Sequence, residues 1–252
     1  MLSVKNLNFS YKKNRKTLND ISFDVAPGNV LVLLGPNGSG KSTILKCIVG
    51  LNKIEKEQVF INKVDFCKVS FKNRAKNIAY VSQEGFNVDL TVFDTILLGR
   101  LPYNSFYESK DDIEIVNKII EKMNLQNIQE KLLSEISGGE KQKVLIAKAL
   151  AQETPIIVLD EPTNNLDVSN QIELIREIKR IAKDENKIIL ISMHDINLAL
   201  SVGDEFVLLK EGNLFRKGDK EIINEETIND LFNIKVKIIN EKENRYAIFK
   251  EN

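Results

Sequence analysis

Apolar and polar positions alternate from Leu2 to Phe9, the pattern of a strand with one face on a core. Val30 to Leu34 is instead a continuous apolar run, as in a strand covered on both faces. After a glycine-rich stretch, Ile44, Leu45, Ile48 and Val49 recur at helical spacing, and Ile78 to Val81 predicts another short strand. From Glu84 to about Glu153 the texture is helical. Ile113, Val116, Ile119, Ile120 and Met123 form one apolar face, and Val144, Ala147, Leu150 and Ala151 form a second. Strands return at Pro155 to Leu159 and Lys187 to Ile191, around a helix with Val168, Ile172, Ile175, Ile178 and Ala182 on one side. The tail from Lys235 to Lys250 predicts a β-hairpin with Val236 and Ile238 facing Tyr246 and Ile248, either a cover or a regulatory surface. The expected organisation is an α/β core (1–83 and 154–234), a helical insert (84–153) and a C-terminal hairpin (235–252).

Composition narrows the function classes. At 252 residues with 42% hydrophobic positions, the chain can bury a substantial core in one domain or two. Lys plus Arg and Asp plus Glu both number 36, so no broad nucleic-acid surface is expected. The basic stretch Lys12 to Lys16 reads as a solvated hairpin loop after Tyr11, ahead of a contact with an anionic surface. The two cysteines, Cys47 and Cys67, form no disulfide framework, which fits a reducing cytoplasm. With one histidine, His194, and no CxxC pair, a structural zinc site is not expected. Met1 to Asn6 lacks the apolar core of a signal peptide, and no apolar run approaches the roughly 20 residues that span a bilayer. A membrane role is therefore expected to come through a partner.

Three clusters carry chemistry. Gly35-Pro36-Asn37-Gly38-Ser39-Gly40-Lys41-Ser42-Thr43 matches G-x-x-x-x-G-K-[ST] between a strand and a helix. Glycines let backbone N–H groups wrap a phosphate, and the helix N-terminus adds roughly half a positive charge. Lys41 reaches the terminal phosphates, and the Ser42 hydroxyl suits Mg²⁺. Ile156 to Leu159 delivers Asp160 and Glu161 to the carboxyl edge of the sheet, where ligands bind. Asp160 suits the Mg²⁺ shell and Glu161 suits a general base on attacking water. Ile136-Ser137-Gly138-Gly139-Glu140 opens another helix, either as a second phosphate turn or as an ordinary start capped by Ser137.

Taken together, the residues resemble the ATP-binding cassette (ABC) ATPases. Lys41, Gln83, Ser137, Asp160 and His194 stand in that family's order, separated by 42, 54, 23 and 34 residues, and the likeness runs over essentially the whole chain. The resemblance implies a P-loop NTPase core with a mixed sheet, an antiparallel β subdomain and an inserted helical subdomain. It implies that Tyr11 stacks on adenine, an interaction worth about 1–3 kcal/mol per base. A strand-end tyrosine half buried in the core is the alternative. Gln83 corresponds to the hinge glutamine that touches Mg²⁺ and water. Ser137, Gly138, Gly139 and Glu140 correspond to the signature that binds the γ-phosphate of ATP held by a second subunit. Here Ile136 replaces the usual Leu and Glu140 the usual Gln. Leu166-Asp167 resembles the loop that crosses the dimer interface, and His194 the histidine that senses the γ-phosphate.

The resemblance thus implies an ATPase with ATP and Mg²⁺ as cofactors, working as a homodimer. Its expected partners are polytopic permease subunits and an extracytoplasmic solute-binding protein, at the cytoplasmic face of the membrane. Gly99-Arg100-Leu101-Pro102-Tyr103 and Ile191 to Ala199 are similar to importer ATPases for iron chelates, haem and cobalamin. Tyr103 stands where that group often has His, and Gly-Arg-x-Pro alone also fits a plain helix stop. Zinc or manganese importers and soluble ABC ATPases, such as iron–sulfur assembly factors, are the rival readings.

Overall fold

A computed structural model describes residues 1–12, 17–83, 89–103, 109–242 and 244–249. Residues 13–16 of the loop expected at 12–16 and the opening of the helical insert at Glu84 lie outside the described residues.

The chain begins with β1 (Leu2–Phe9), β2 (Leu18–Val25) and β3 (Val30–Leu34), then α1 (Lys41–Ile48). Short strands β4 (Val59–Ile61) and β5 (Val64–Asp65), helix α2 (Phe71–Ala75) and β6 (Ile78–Val81) follow. Helices α3 (Val92–Leu97), α4 (Lys110–Lys122) and α5 (Gly138–Ala151) make up the described part of the insert. The core resumes with β7 (Ile156–Asp160), α6 (Val168–Asp184), β8 (Ile188–Met193), α7 (Ile196–Val202), β9 (Glu205–Lys210), β10 (Asn213–Gly218) and α8 (Glu225–Phe232). β11 (Val236–Glu241) and β12 (Asn244–Phe249) form the C-terminal hairpin.

Among the described residues, ten strands join one mixed sheet in the order β5-β4-β1-β2-β10-β9-β3-β8-β7-β6. The run β9-β3-β8-β7-β6 is parallel, and β5-β4-β1-β2 is antiparallel. This is the α/β architecture expected of the family. The apolar run of β3 is continuous because the sheet is covered on both sides. Leu31 and Leu33 pack with Ile44, Leu45 and Ile48 of α1, while Val30, Val32 and Leu34 face the helices of the other layer.

Helix starts follow local rules with one exception. Ser70, Thr91, Ser109, Ser137, Asp167, Asp195 and Asn224 each cap their helix, with a side-chain oxygen accepting a backbone N–H of the first turn. At α1 the cap is Gly40, which has no side chain to offer, so the first N–H groups of that helix lack this internal acceptor.

Three expectations are corrected. Ile113 is 39% exposed, so the buried face of α4 consists of Val116, Ile119 and Ile120, with Met123 beyond its end. Val168 and Ile172 are 70% and 42% exposed: the apolar stripe of α6 is continuous, but the core covers it only from Leu174 on. The hairpin register pairs Val236 with Phe249 and Ile238 with Ala247, not with Tyr246 and Ile248. A one-residue shift reverses which face each side chain takes, so Ala247 turns inward and Tyr246 and Ile248 turn out.

Candidate functional site

Strand β3 delivers the chain to Gly35, where the fold leaves no room for a side chain: a Cβ there would lie 2.3 Å from Leu209 O. Gly40 closes the loop at φ 106, a left-handed conformation that favours glycine. Residues 35–43 therefore wrap tightly onto the uncapped start of α1, a ready anion site. Lys41 lies almost wholly within this loop. Its Nζ donates to Gly35 O at 2.8 Å and Pro36 O at 3.3 Å. Burial pulls the lysine below its ordinary range, against the opposing pull of Glu161 and Asp160.

Opposite the loop, β7 ends in the acidic pair. Asp160 is buried, and its Oδ1 accepts from Ser42 Oγ at 2.9 Å and from Ser192 Oγ at 2.6 Å. Tyr80 OH donates to Oδ2 at 3.3 Å. Glu161 adopts φ 48, and its N–H donates to Ser192 Oγ at 2.9 Å. The Glu161 side chain has three polar neighbours at one oxygen. Gln83 Nε2 donates to Oε2 at 3.0 Å, Asn164 Nδ2 donates to the same oxygen, and His194 Nδ1 lies 4.0 Å from it. Loop and Glu161 face one open cleft of about 670 Å³, lined by Asn37, Gly38, Lys41, Ser42, Glu161 and His194 among others, and Asp160 lines an adjoining one with Ser42 and Gln83.

The place where Ser42, Gln83 and Asp160 meet suits a hard divalent cation. Ser42 Oγ and Asp160 Oδ1 are 2.9 Å apart, close to the edge of an octahedron with the bonds of about 2.0–2.1 Å that Mg²⁺ prefers. The Gln83 amide can add a third oxygen. This set leaves most positions to phosphate and water, as Mg²⁺–nucleotide sites do.

Tyr11 is 60% exposed beside α1, not half buried in the core. Its ring stands edge-on to Phe9 at 4.8 Å between centroids. The hydroxyl lies 3.5 Å from Thr43 Oγ1 and accepts from Asn52 Nδ2 at 3.4 Å. An exposed ring held at its tip next to a phosphate loop is a fit platform for a base.

The second glycine turn is engaged within itself. Ser137 caps α5, and both its hydroxyl and its N–H donate to Glu140 Oε2, at 2.7 and 2.8 Å. These bonds hold the Glu140 carboxyl below its ordinary range, first through the hydroxyl and then through the backbone N–H. Gly139 packs on Asn170: a Cβ would lie 2.6 Å from the Asn170 amide carbon. Asn170 is in turn held by Asp167, the cap of α6. Gly138 joins Gln83, Asp160, Glu161 and Asn165 around a second cavity of about 180 Å³. The structure thus gathers residues 35–43, Gln83, Asp160, Glu161 and His194, while the Ser137 side chain turns to Glu140.

Sequence reasoning assigned no role to Ser192, Asn164, Tyr80 or Asn52. Only Ser192 left a trace in the chain, a hydroxyl two positions before His194 in a buried strand. Arg100 also proves to be more than a helix stop. It is buried, with bonds to Asp112 Oδ1 at 2.8 Å, Glu153 Oε2 at 2.7 Å and Ala151 O at 2.7 Å.

An amide-rich loop between a buried parallel strand and a helix, facing paired carboxylates on a nearby strand, defines a P-loop nucleotide-binding protein. Residues 18–164 match the family model described as ABC transporter. An uncharacterized ABC transporter ATP-binding protein of Methanocaldococcus jannaschii is 42% identical over 240 residues, covering 95% of this chain and 94% of the relative. The petrobactin import ATP-binding protein YclP of Bacillus subtilis is 32% identical over 240 residues, covering 94% of this chain and 95% of the relative. A solved metal-chelate type ABC transporter in an inward-facing conformation is similar with a TM-score of 0.85 and 27% identity, over 99% of this chain and 96% of that one. The chain belongs to the ABC transporter family, among its ATP-binding subunits. No helix among the described residues is long and apolar enough to cross a membrane.

Proposed function

We propose that this chain hydrolyses ATP to drive an importer of an iron–siderophore, haem or cobalamin complex. The observation that carries the catalytic part is the convergence of Gln83, Asn164 and His194 on one oxygen of Glu161, across the cleft from Lys41 and Ser42.

In this reading Tyr11 stacks on adenine, residues 35–43 cradle the phosphates, and Lys41 exchanges the carbonyls of Gly35 and Pro36 for phosphate oxygens. Ser42, Asp160 and Gln83 would hold Mg²⁺, which would supply positive charge against the phosphates. Glu161 accepts a proton from a water that His194 and Gln83 orient. The water oxygen bonds to the γ-phosphorus as the bond to the β-phosphate oxygen breaks, leaving ADP and phosphate. One chain presents its nucleotide in an open cleft. The turn Ser137, Gly138, Gly139 and Glu140 of a second copy closes it, with Asp167 at the crossing, so ATP joins two copies and hydrolysis releases them.

Residues 1–83 and 154–234 act as the nucleotide core, 84–153 as the arm that carries the turn to the partner copy, and 235–252 as a C-terminal cover. The permease docks on that arm at the cytoplasmic face of the membrane, and an extracytoplasmic binding protein delivers the solute. The iron-chelate class is supported by Gly99 to Tyr103 and by the relative named for petrobactin import. A deletion strain tests this reading through uptake of a radiolabelled ferric siderophore, haem and cobalamin. Loss of one uptake activity, restored by the gene, is expected. Normal uptake of all three, with loss of zinc or manganese uptake instead, overturns the solute class.

A further inference from the structure

Ser192 is fully buried near the end of β8, between Ile191 and Met193. A hydroxyl in such a place needs partners, and it has two. It donates to Asp160 Oδ1 at 2.6 Å and accepts the Glu161 N–H at 2.9 Å. Both bonds arise from the register. The β7–β8 ladder ends on the pair Asp160↔Ser192, so the Glu161 N–H lies one residue past the last rung. There the chain kinks: Glu161 takes φ 48, a left-handed conformation that is unfavourable for a residue with a side chain and gains from a bond that holds it. The Ser192 hydroxyl supplies such a bond, extending the ladder by one. Its proton is committed to Asp160, so its lone pairs face Glu161. Two residues on, the same strand leads into His194.

We propose that Ser192 is a positioning residue for hydrolysis: it holds the backbone kink that aims the Glu161 carboxylate at the attacking water and fixes the Asp160 side chain beside Ser42. The proposal rests on Glu161 being the general base. Neither methyl nor thiol can both donate strongly to Asp160 and accept strongly from Glu161, whereas a threonine hydroxyl on the same carbon can.

The test compares Ser192→Ala, Ser192→Cys and Ser192→Thr in the full chain, each with a thermal melt. Ala and Cys are expected to lower kcat roughly 10- to 100-fold, the scale for a misplaced reacting group. KM for ATP, and the affinity of a fluorescent ATP analogue measured without divalent cation, should stay within about twofold. Ser192→Thr should retain most of the turnover. Cysteine is only slightly larger than serine and alanine only slightly smaller, so a role in packing alone leaves most of the turnover of a folded variant intact. A folded Ser192→Cys variant with unchanged kcat therefore overturns the proposal. So does a fall in analogue affinity that parallels the fall in kcat. Glu161→Gln separates the two levels. If it hydrolyses ATP normally, the base assignment fails and the role of Ser192 with it. If it is inactive while Ser192→Cys is fully active, only the role of Ser192 fails.

Discussion

Gln83 Nε2 donates to Glu161 Oε2 over 3.0 Å, joining the residues just past the ends of the paired strands β6 and β7 on one side of the cleft. This bond ties the carboxylate to the point where the core leads toward the helical insert. A motion of that segment therefore changes the neighbours of Glu161 as well as its own position. Asn164 donates to the same oxygen, so two amides hold the carboxylate in place.

Glu161→Gln keeps the shape of this arrangement and removes the proton acceptor. It is expected to bind ATP with near wild-type affinity and to lose about 10²–10⁴-fold in turnover, the usual contribution of a positioned base. Steady-state phosphate release measures this, and substantial hydrolysis by the variant rejects the base assignment.

Lys41 tests the loop. Its buried ammonium rests on two carbonyls that a phosphate would replace. ATP at about 100 times its dissociation constant should stabilise the wild type by about 2.7 kcal/mol, seen as a rise in melting temperature. In Lys41→Ala that rise should largely vanish. An undiminished rise would place the triphosphate elsewhere.

How far the fold was legible depended on how locally each feature is specified. β3 and β7 were readable because a strand buried on both faces needs a continuous apolar run, and the glycine loop and the acidic pair mark where those runs end. β4 and β5 have three residues and two, too few to show a period. The stripe of α6 was read correctly as a pattern, but Val168 and Ile172 are exposed because burial depends on what packs at that end. The hairpin strands were placed correctly and their register was not, since Val236, Ile238, Tyr246 and Ile248 allow two alternations one residue apart. Of the site, the loop, Gln83, Asp160, Glu161 and His194 were recognisable by type and order. Ser192 and Asn164 were not, because their contacts come from strand register and from a turn that brings Asn164 back onto Glu161.

Arg100 supports the insert from inside. Its guanidinium meets Asp112 on α4, Glu153 after α5 and the carbonyl that ends α5, with Tyr103 stacked at 4.3 Å. Removing one partner leaves a buried charge uncompensated, so Arg100→Ala should cost about 3–5 kcal/mol in urea unfolding. Arg100→Lys should recover little, because an ammonium cannot reproduce the fork. A lysine variant of wild-type stability contradicts this.

The cysteines should differ in reactivity. Burial pushes the Cys47 thiol up to about 12, so almost none of it is thiolate at pH 8. Burial also raises Cys67, but that residue is only partly buried. Iodoacetamide at pH 8 should modify Cys67 slowly and leave Cys47 intact until urea unfolds the chain, as read by peptide mass spectrometry. Early labelling of Cys47 would show that α1 opens in the native state.

In the proposed dimer one nucleotide is enclosed by two copies, by residues 35–43 of one and by the Ser137 turn of the other. Sedimentation of Glu161→Gln with ATP, beside the double variant Glu161→Gln/Ser137→Arg, tests it most directly. The single variant should shift from monomer to dimer only when ATP is present, and the double variant should bind ATP yet remain monomeric. Equal ATP-dependent dimers in both, or none in either at saturating ATP, would contradict the shared site.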